Sequence, residues 1–132
     1  MRYSFTFLLA TVFALFTNSC SNGQNQKLNA KAFAEELNKN SDAILVDVRT
    51  PEEYADGHLA NAVNINWNDN SFQAQAEKLD KQKTLFVYCL RGGRSASAAA
   101  KLKEMGFKNV IELDGGILQW RAEGLPEAND NK

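Results

Sequence analysis

The sequence predicts an α/β fold with a central, mainly parallel sheet and helices on both faces. Short unbroken apolar runs at 43–48, 62–65, 84–88 and 109–113 read as strands covered on both sides. Stretches with helical apolar spacing or helix-end signals fall between them, and that alternation is the pattern of parallel sheets. A cysteine, Cys89, stands directly after one strand run and directly before a helical stretch. That position is the carboxyl end of a strand, where open α/β sheets keep their functional crevice. The 132 residues suit one domain, and a net charge of -1 with dispersed Lys and Arg gives no basic surface for nucleic acid.

Each element has a local cause. Asn29 can cap a helix through Ala32, Phe33 and Leu37, whose spacing makes one apolar face. Ala43 to Val48 is a strand run. Thr50-Pro51-Glu52-Glu53 is a helix start, with Thr50 as cap, Pro51 in the first position and Glu53 closing a capping box. Gly57 ends that turn, and Ala62 to Ile65 is a brief strand. Asp69 to Leu79 reads as helical, and Thr84 to Tyr88 as a buried strand. Ser95 to Met105 is a helix stopped by Gly106. Asn109 to Leu113 is a strand, and Gly115-Gly116 leads into a last helix with Ile117, Leu118 and Trp120. Gly124 and Pro126 close it.

The flanks differ from this core. Arg2 precedes an apolar stretch, Phe5 to Phe16, that is too short to span a bilayer comfortably and reads as a signal peptide over residues 1–19. Ser19-Cys20 resembles the processing site of bacterial lipoproteins, with Cys20 as the lipidated mature terminus. Thr17 departs from the leucine usual at that place. Residues 20–27 are a polar tether, 28–126 the folded domain, and 127–132 a polar, flexible tail. The resulting expectation is an exported periplasmic or cell-envelope protein, anchored to membrane through Cys20. A lipidated Cys20 leaves Cys89 as a lone thiol; the alternative is a Cys20–Cys89 disulfide, which would tie the tether to the loop. One histidine and two cysteines cannot supply four ligands of an all-Cys/His zinc site. No metal or cofactor is expected.

The chemistry concentrates in Cys89-Leu90-Arg91-Gly92-Gly93-Arg94-Ser95. A glycine-containing loop between a strand and a helix N-terminus presents N–H groups and a helix dipole to an anion. Arg91 and Arg94 add positive charge. All of these favour the thiolate, the nucleophilic form of Cys89.

Three segments resemble the rhodanese family. They are Leu45 to Tyr54 followed by Gly57 to Ile65, then Val87-Tyr88-Cys89 through Ser95-Ala96, then Gly106 to Val110 with Asp114-Gly115-Gly116-Ile117-Leu118-Gln119-Trp120. Ala60-Asn61 replaces the family's frequent Pro-Gly. The resemblance implies a compact α/β domain and sulfur transfer through a Cys89 persulfide. Thiosulfate or a related sulfane donor loads the thiol, and cyanide, a small thiol or a protein thiol unloads it. Backbone N–H groups of Leu90, Arg91, Gly92, Gly93, Arg94 and Ser95 would cradle the persulfide, with both arginines as candidates for the anionic donor. The sequence does not choose between Arg91 and Arg94.

Other readings are weighed against that one. Cysteine phosphatases and arsenate-type enzymes have a loop one residue longer between Cys and Arg, sized for a tetrahedral anion, and also need a general acid. A persulfide-handling or partner-binding module is a further alternative; such modules often lack the cysteine. Asp47 and Arg49 read as a structural ion pair near the site. His58 reads as a packing or hydrogen-bonding residue, because an ionised thiol needs no base. Trp120 and Tyr88 read as core, Trp67 as a candidate pocket wall, and Ser95 as a cap that can also donate to sulfur.

Overall fold

The computed structural model describes residues 26–129. Five strands and five helices alternate along them: β1 (Gln26–Leu28), α1 (Ala30–Lys39), β2 (Ile44–Asp47), α2 (Pro51–Asp56), β3 (Val63–Asn64), α3 (Phe72–Ala76), β4 (Leu85–Tyr88), α4 (Gly93–Glu104), β5 (Val110–Leu113) and α5 (Gly116–Ala122). The strands form one sheet in the order β1-β5-β4-β2-β3, and every pairing is parallel. Parallel pairing brings all strand carboxyl ends to one edge, so Asp47, Tyr88 and Leu113 finish on the same side of the molecule.

Two apolar layers cover the sheet. On one face Val46, Val87 and Val110 pack beneath Phe72 and Ala76 of α3 and Ala98, Ala99 and Leu102 of α4. On the other, Leu45, Phe86 and Leu113 meet Phe33 of α1 and Ile117 and Trp120 of α5. Alternating residues of one strand thus serve opposite cores, which is why these strands are apolar throughout. All four residues of β4 are buried, and it is the middle strand. Phe33 anchors the second layer with edge-on contacts to Phe86 and Trp120, ring centroids 5.2 and 6.4 Å away.

Local signals act as read from the sequence at several ends. The Asn29 side chain accepts from Ala32 N–H at 3.0 Å, and Thr50 with Glu53 makes a full capping box. Several boundaries differ. Helix α4 begins at Gly93 with Gly92 as its N-cap, so Ser95, read as the cap and first residue, lies inside the first turn. Gln26 and Lys27, assigned to the tether, pair with Ile111 and Glu112 of β5. Helix α3 spans Phe72–Ala76 rather than Asp69 to Leu79, and at its start the Asp69 carboxylate reaches forward to accept from Ser71 N–H and Oγ in place of a helical turn. Glu127 to Asn129, assigned to the tail, are tied down. Glu127 pairs with Arg121, Ala128 exchanges two backbone hydrogen bonds with His58, and the Asn129 side chain reaches Asp56 O at 3.5 Å. Residues 1–19, read from the sequence as a signal peptide, lie outside the described residues, as do Cys20 and residues 130–132.

Candidate active site

Cys89 directly follows β4 and is buried beneath its loop. Gly92 N–H donates to Sγ at 3.0 Å, and Ser95 Oγ stands 3.4 Å from it. Gly92 adopts φ 111°, a backbone region that favours glycine, and this turn brings its N–H over the sulfur. Helix α4 starts at the next residue, so its positive end adds to the same field.

Burial alone pushes the Cys89 thiol up. Hydrogen bonds from the Ser95 hydroxyl and from the backbone of Ser95, Gly92 and Arg91 outweigh it, and the thiol ends below its usual value. Ser95 also lies 3.2 Å from Gly92 O. With a neutral thiol, S–H donates to Ser95 Oγ while the hydroxyl donates to that carbonyl. On ionisation the hydroxyl hydrogen turns to the sulfur, so the same side chain serves both states.

The two loop arginines divide. Arg94 makes a two-pronged ion pair with Glu53 of α2, at 2.7 and 2.9 Å. Its hydrogen bonds, with the bond to the Thr50 backbone, hold the Glu53 carboxyl down to about 2. Arg91 is exposed and has no side-chain partner among the described residues. Leu90 turns its carbonyl to Leu118 N–H at 3.2 Å and leans its side chain on the second apolar layer. Gly93 is exposed and opens α4.

Asp47 and Arg49 lie at the neighbouring strand end and are fully buried. Arg49 Nη2 meets Asp47 Oδ2 at 2.7 Å and donates to Gly57 O at 2.7 Å, while its guanidinium rides 5.6 Å from the Tyr88 ring centroid. Tyr88 accepts from Leu59 N–H at 3.0 Å, and burial, with Asp47 nearby, raises its phenol. His58 is buried, stacks on Tyr54 at 3.7 Å and has Nδ1 2.9 Å from Tyr54 O. These groups brace the turn between β2 and β3 rather than touch the sulfur. Trp67 packs edge-on against Phe72 beside the Cys89 layer.

Sequence reasoning missed two contributors. Glu53 was legible only as a cap, because the arginine it clasps lies 41 residues away in the chain. The first turn of α5 closes the back of the loop, where Ile117 N–H donates to Cys89 O at 2.9 Å. A groove of about 580 Å³ bounded by Leu37, Ala43, Leu59, Asn61, Trp120 and Leu125 includes no residue of the Cys89–Ser95 loop in its lining.

A parallel α/β sheet that presents a buried thiol to the N–H groups and hydroxyl of the following loop defines a class of domain built for thiolate chemistry. The family profile described as Rhodanese-like domain matches residues 29–123. The chain belongs to the rhodanese-like family. It is 40% identical over 99 residues to "Thiosulfate sulfurtransferase GlpE" of Coxiella burnetii, covering 75% of this chain and 90% of that protein. A rhodanese-related protein from Thermoplasma volcanium superposes with a TM-score of 0.69 at 30% identity, over 78% of this chain and 97% of the other. The polysulfide-sulfur transferase homodimer of Wolinella succinogenes gives 0.68 at 30% identity, over 81% and 80%. Relatives named in this way support the broad class of rhodanese-type sulfurtransferase for this chain.

Proposed function

We propose that the protein moves a sulfane sulfur from an anionic donor to a thiophilic acceptor through a persulfide on Cys89. The observation that carries this is the Gly92 N–H 3.0 Å from a thiol that its hydrogen bonds hold below the ordinary range. The Cys89 thiolate attacks the outer sulfur of thiosulfate. The donor's S–S bond breaks, sulfite leaves with the electron pair, and Cys89 carries a persulfide anion. Cyanide or a thiolate then attacks the outer sulfur and the Cys89 thiolate returns, so ping-pong kinetics are expected.

The geometry suits each state. The added sulfur stands about 2 Å beyond Sγ, within reach of the loop amides that already face the thiol. Amides fixed in place stabilise that charge without reorganising. Arg91, uncommitted and exposed, is the group we assign to the donor. Arg94 is already neutralised by Glu53.

The test is mass spectrometry of the full chain after thiosulfate or polysulfide. A gain of one sulfur atom on Cys89, absent in Cys89→Ser, is expected. No adduct with either donor would refute the proposal and leave a binding module.

We also propose export, with anchoring through a lipid on Cys20. That residue precedes β1 closely, and β1 runs parallel to β5, so the chain enters the domain at the end of the sheet away from Cys89. A domain held there opens its loop away from the bilayer, toward soluble donors. The mass of the mature amino-terminal peptide checks this, and an unmodified Cys20 on membrane-derived protein would refute it.

A further inference from the structure

The catalytic loop is held from behind by two hydrogen bonds. Ile117 N–H donates to Cys89 O at 2.9 Å and Leu118 N–H to Leu90 O at 3.2 Å. Both donors sit in the first turn of α5, where N–H groups have no acceptor inside the helix. Gly116, at φ 64°, makes this approach possible. A Cβ on it would overlap Leu90 O and stand 2.6 Å from Cys89 O. Every atom it would strike is loop backbone, so no side chain can swing aside.

We propose that Gly116 is a positioning residue for the Cys89 site: its missing side chain lets α5 latch the carbonyls of Cys89 and Leu90, and that latch aims the loop's N–H groups at the sulfur. The link is the planarity of the peptide unit. In a trans peptide, C=O and the following N–H point in opposite directions. The Leu90 carbonyl is drawn outward to Leu118, so the Arg91 N–H of the same unit faces inward. That N–H is one of the donors that favour the Cys89 thiolate. Pushing the loop away from α5 would rotate this unit and weaken the ring of donors.

The latch rests on the reading of Cys89 as the reactive thiol, but its test needs no sulfur donor, so the two fail separately. The readout is the pH dependence of iodoacetamide alkylation of Cys89 in the full chain. Gly116→Ala is expected to move the alkylation midpoint up by about one pH unit and to slow alkylation below it about tenfold. Gly124→Ala is the control, since it too places alanine at a positive φ, 70°, but with open space around the new carbon. It should lower the melting temperature and leave the midpoint where it is. Leu118→Pro removes one latch donor in the first helical turn and puts a ring carbon where its hydrogen was, so it too pushes the Leu90 carbonyl away from α5. It should shift the midpoint in the same direction by less, and it decides the matter alone if Gly116→Ala does not fold. A wild-type midpoint in both Gly116→Ala and Leu118→Pro, or an equal shift in Gly124→Ala, would overturn the proposal.

Discussion

Glu53 and Arg94, 41 residues apart in the chain, clasp each other through two charge-assisted hydrogen bonds of 2.7 and 2.9 Å. Glu53 Oε2 also accepts from the Thr50 backbone N–H at 2.9 Å. One carboxylate therefore caps α2 and pins the Cys89 loop. The loop's conformation is tied to the end of β2 on one side and to α5 on the other.

The clasp should show in acid. The Glu53 carboxyl is depressed from 4.5 to about 2 when folded. A depressed carboxylate contributes stability above its unfolded value, and that contribution fades as pH falls from 4.5 through about 2. Glu53→Gln should cost about 1 kcal/mol or less at pH 7, because the pair is partly exposed and screened by water. The gap between wild type and variant should close over that acid window. Urea unfolding at pH 7, 4.5 and 3 measures it, and a gap unchanged across those points contradicts the assignment.

The arginines should separate kinetically. Arg91→Gln removes an uncommitted exposed charge, so KM for thiosulfate should rise about tenfold with kcat nearly unchanged, the factor that ~1.4 kcal/mol of lost charge-assisted binding gives. The wild-type dependence of kcat/KM on salt should flatten in the variant. Arg94→Gln should lower stability and kcat together, since it frees Glu53 and loosens the loop. Steady-state kinetics at two ionic strengths distinguish these. Equal KM effects from both variants would show that Arg94 also meets the donor.

The parts of this site that are contiguous in sequence were legible there. Cys89 to Ser95 spans a strand end, a turn and a helix start, and each has a local signature of apolar run, glycine or small residues. The parallel sheet followed from its doubly buried strands. Strand β1 was not legible, because Gln26-Lys27-Leu28 is an edge strand with exposed polar side chains and is held by backbone pairing to β5. The same holds for Glu127 to Asn129, whose polar composition hides the pairing with Arg121 and His58. The Glu53–Arg94 clasp and the α5 latch depend on tertiary proximity, which no local pattern encodes.

The buried Asp47–Arg49 pair should be costly to break. Both side chains are essentially inaccessible, and Arg49 also spends a donor on Gly57 O. Asp47→Asn leaves a buried guanidinium without its counter-charge, so a loss of about 3–5 kcal/mol is expected. The double change Asp47→Leu with Arg49→Met should lose less than Asp47→Asn, because no unpaired charge remains. Equilibrium urea unfolding gives both values. A loss under about 1 kcal/mol for Asp47→Asn would mean that the pair is solvated.

Glu112 is the opposite case, a buried acid without a counterpart in contact. It lies on β5 between Val87 and Lys27, is 1% exposed, and its Oε2 has no hydrogen-bond partner. Burial raises its carboxyl, and Asp114 pushes the same way. Lys27 of β1 and Lys103 of α4 oppose them without prevailing. A carboxyl raised on folding contributes fully below its unfolded value near 4.5, and the contribution is lost as pH rises through the folded value. The folded protein therefore loses stability across that rise while Glu112 either ionises in an apolar layer or holds its proton at a cost. Glu112→Met keeps the side chain's length and removes both the charge and the orphaned oxygen. It should stabilise the protein by about 1–2 kcal/mol at pH 7, the scale of an unsatisfied buried polar group, and by progressively less as pH falls toward 4. Melting temperatures across pH 4 to 8 measure this. A variant less stable than wild type at pH 7, or a difference independent of pH, would show that Glu112 is ionised and paired after all.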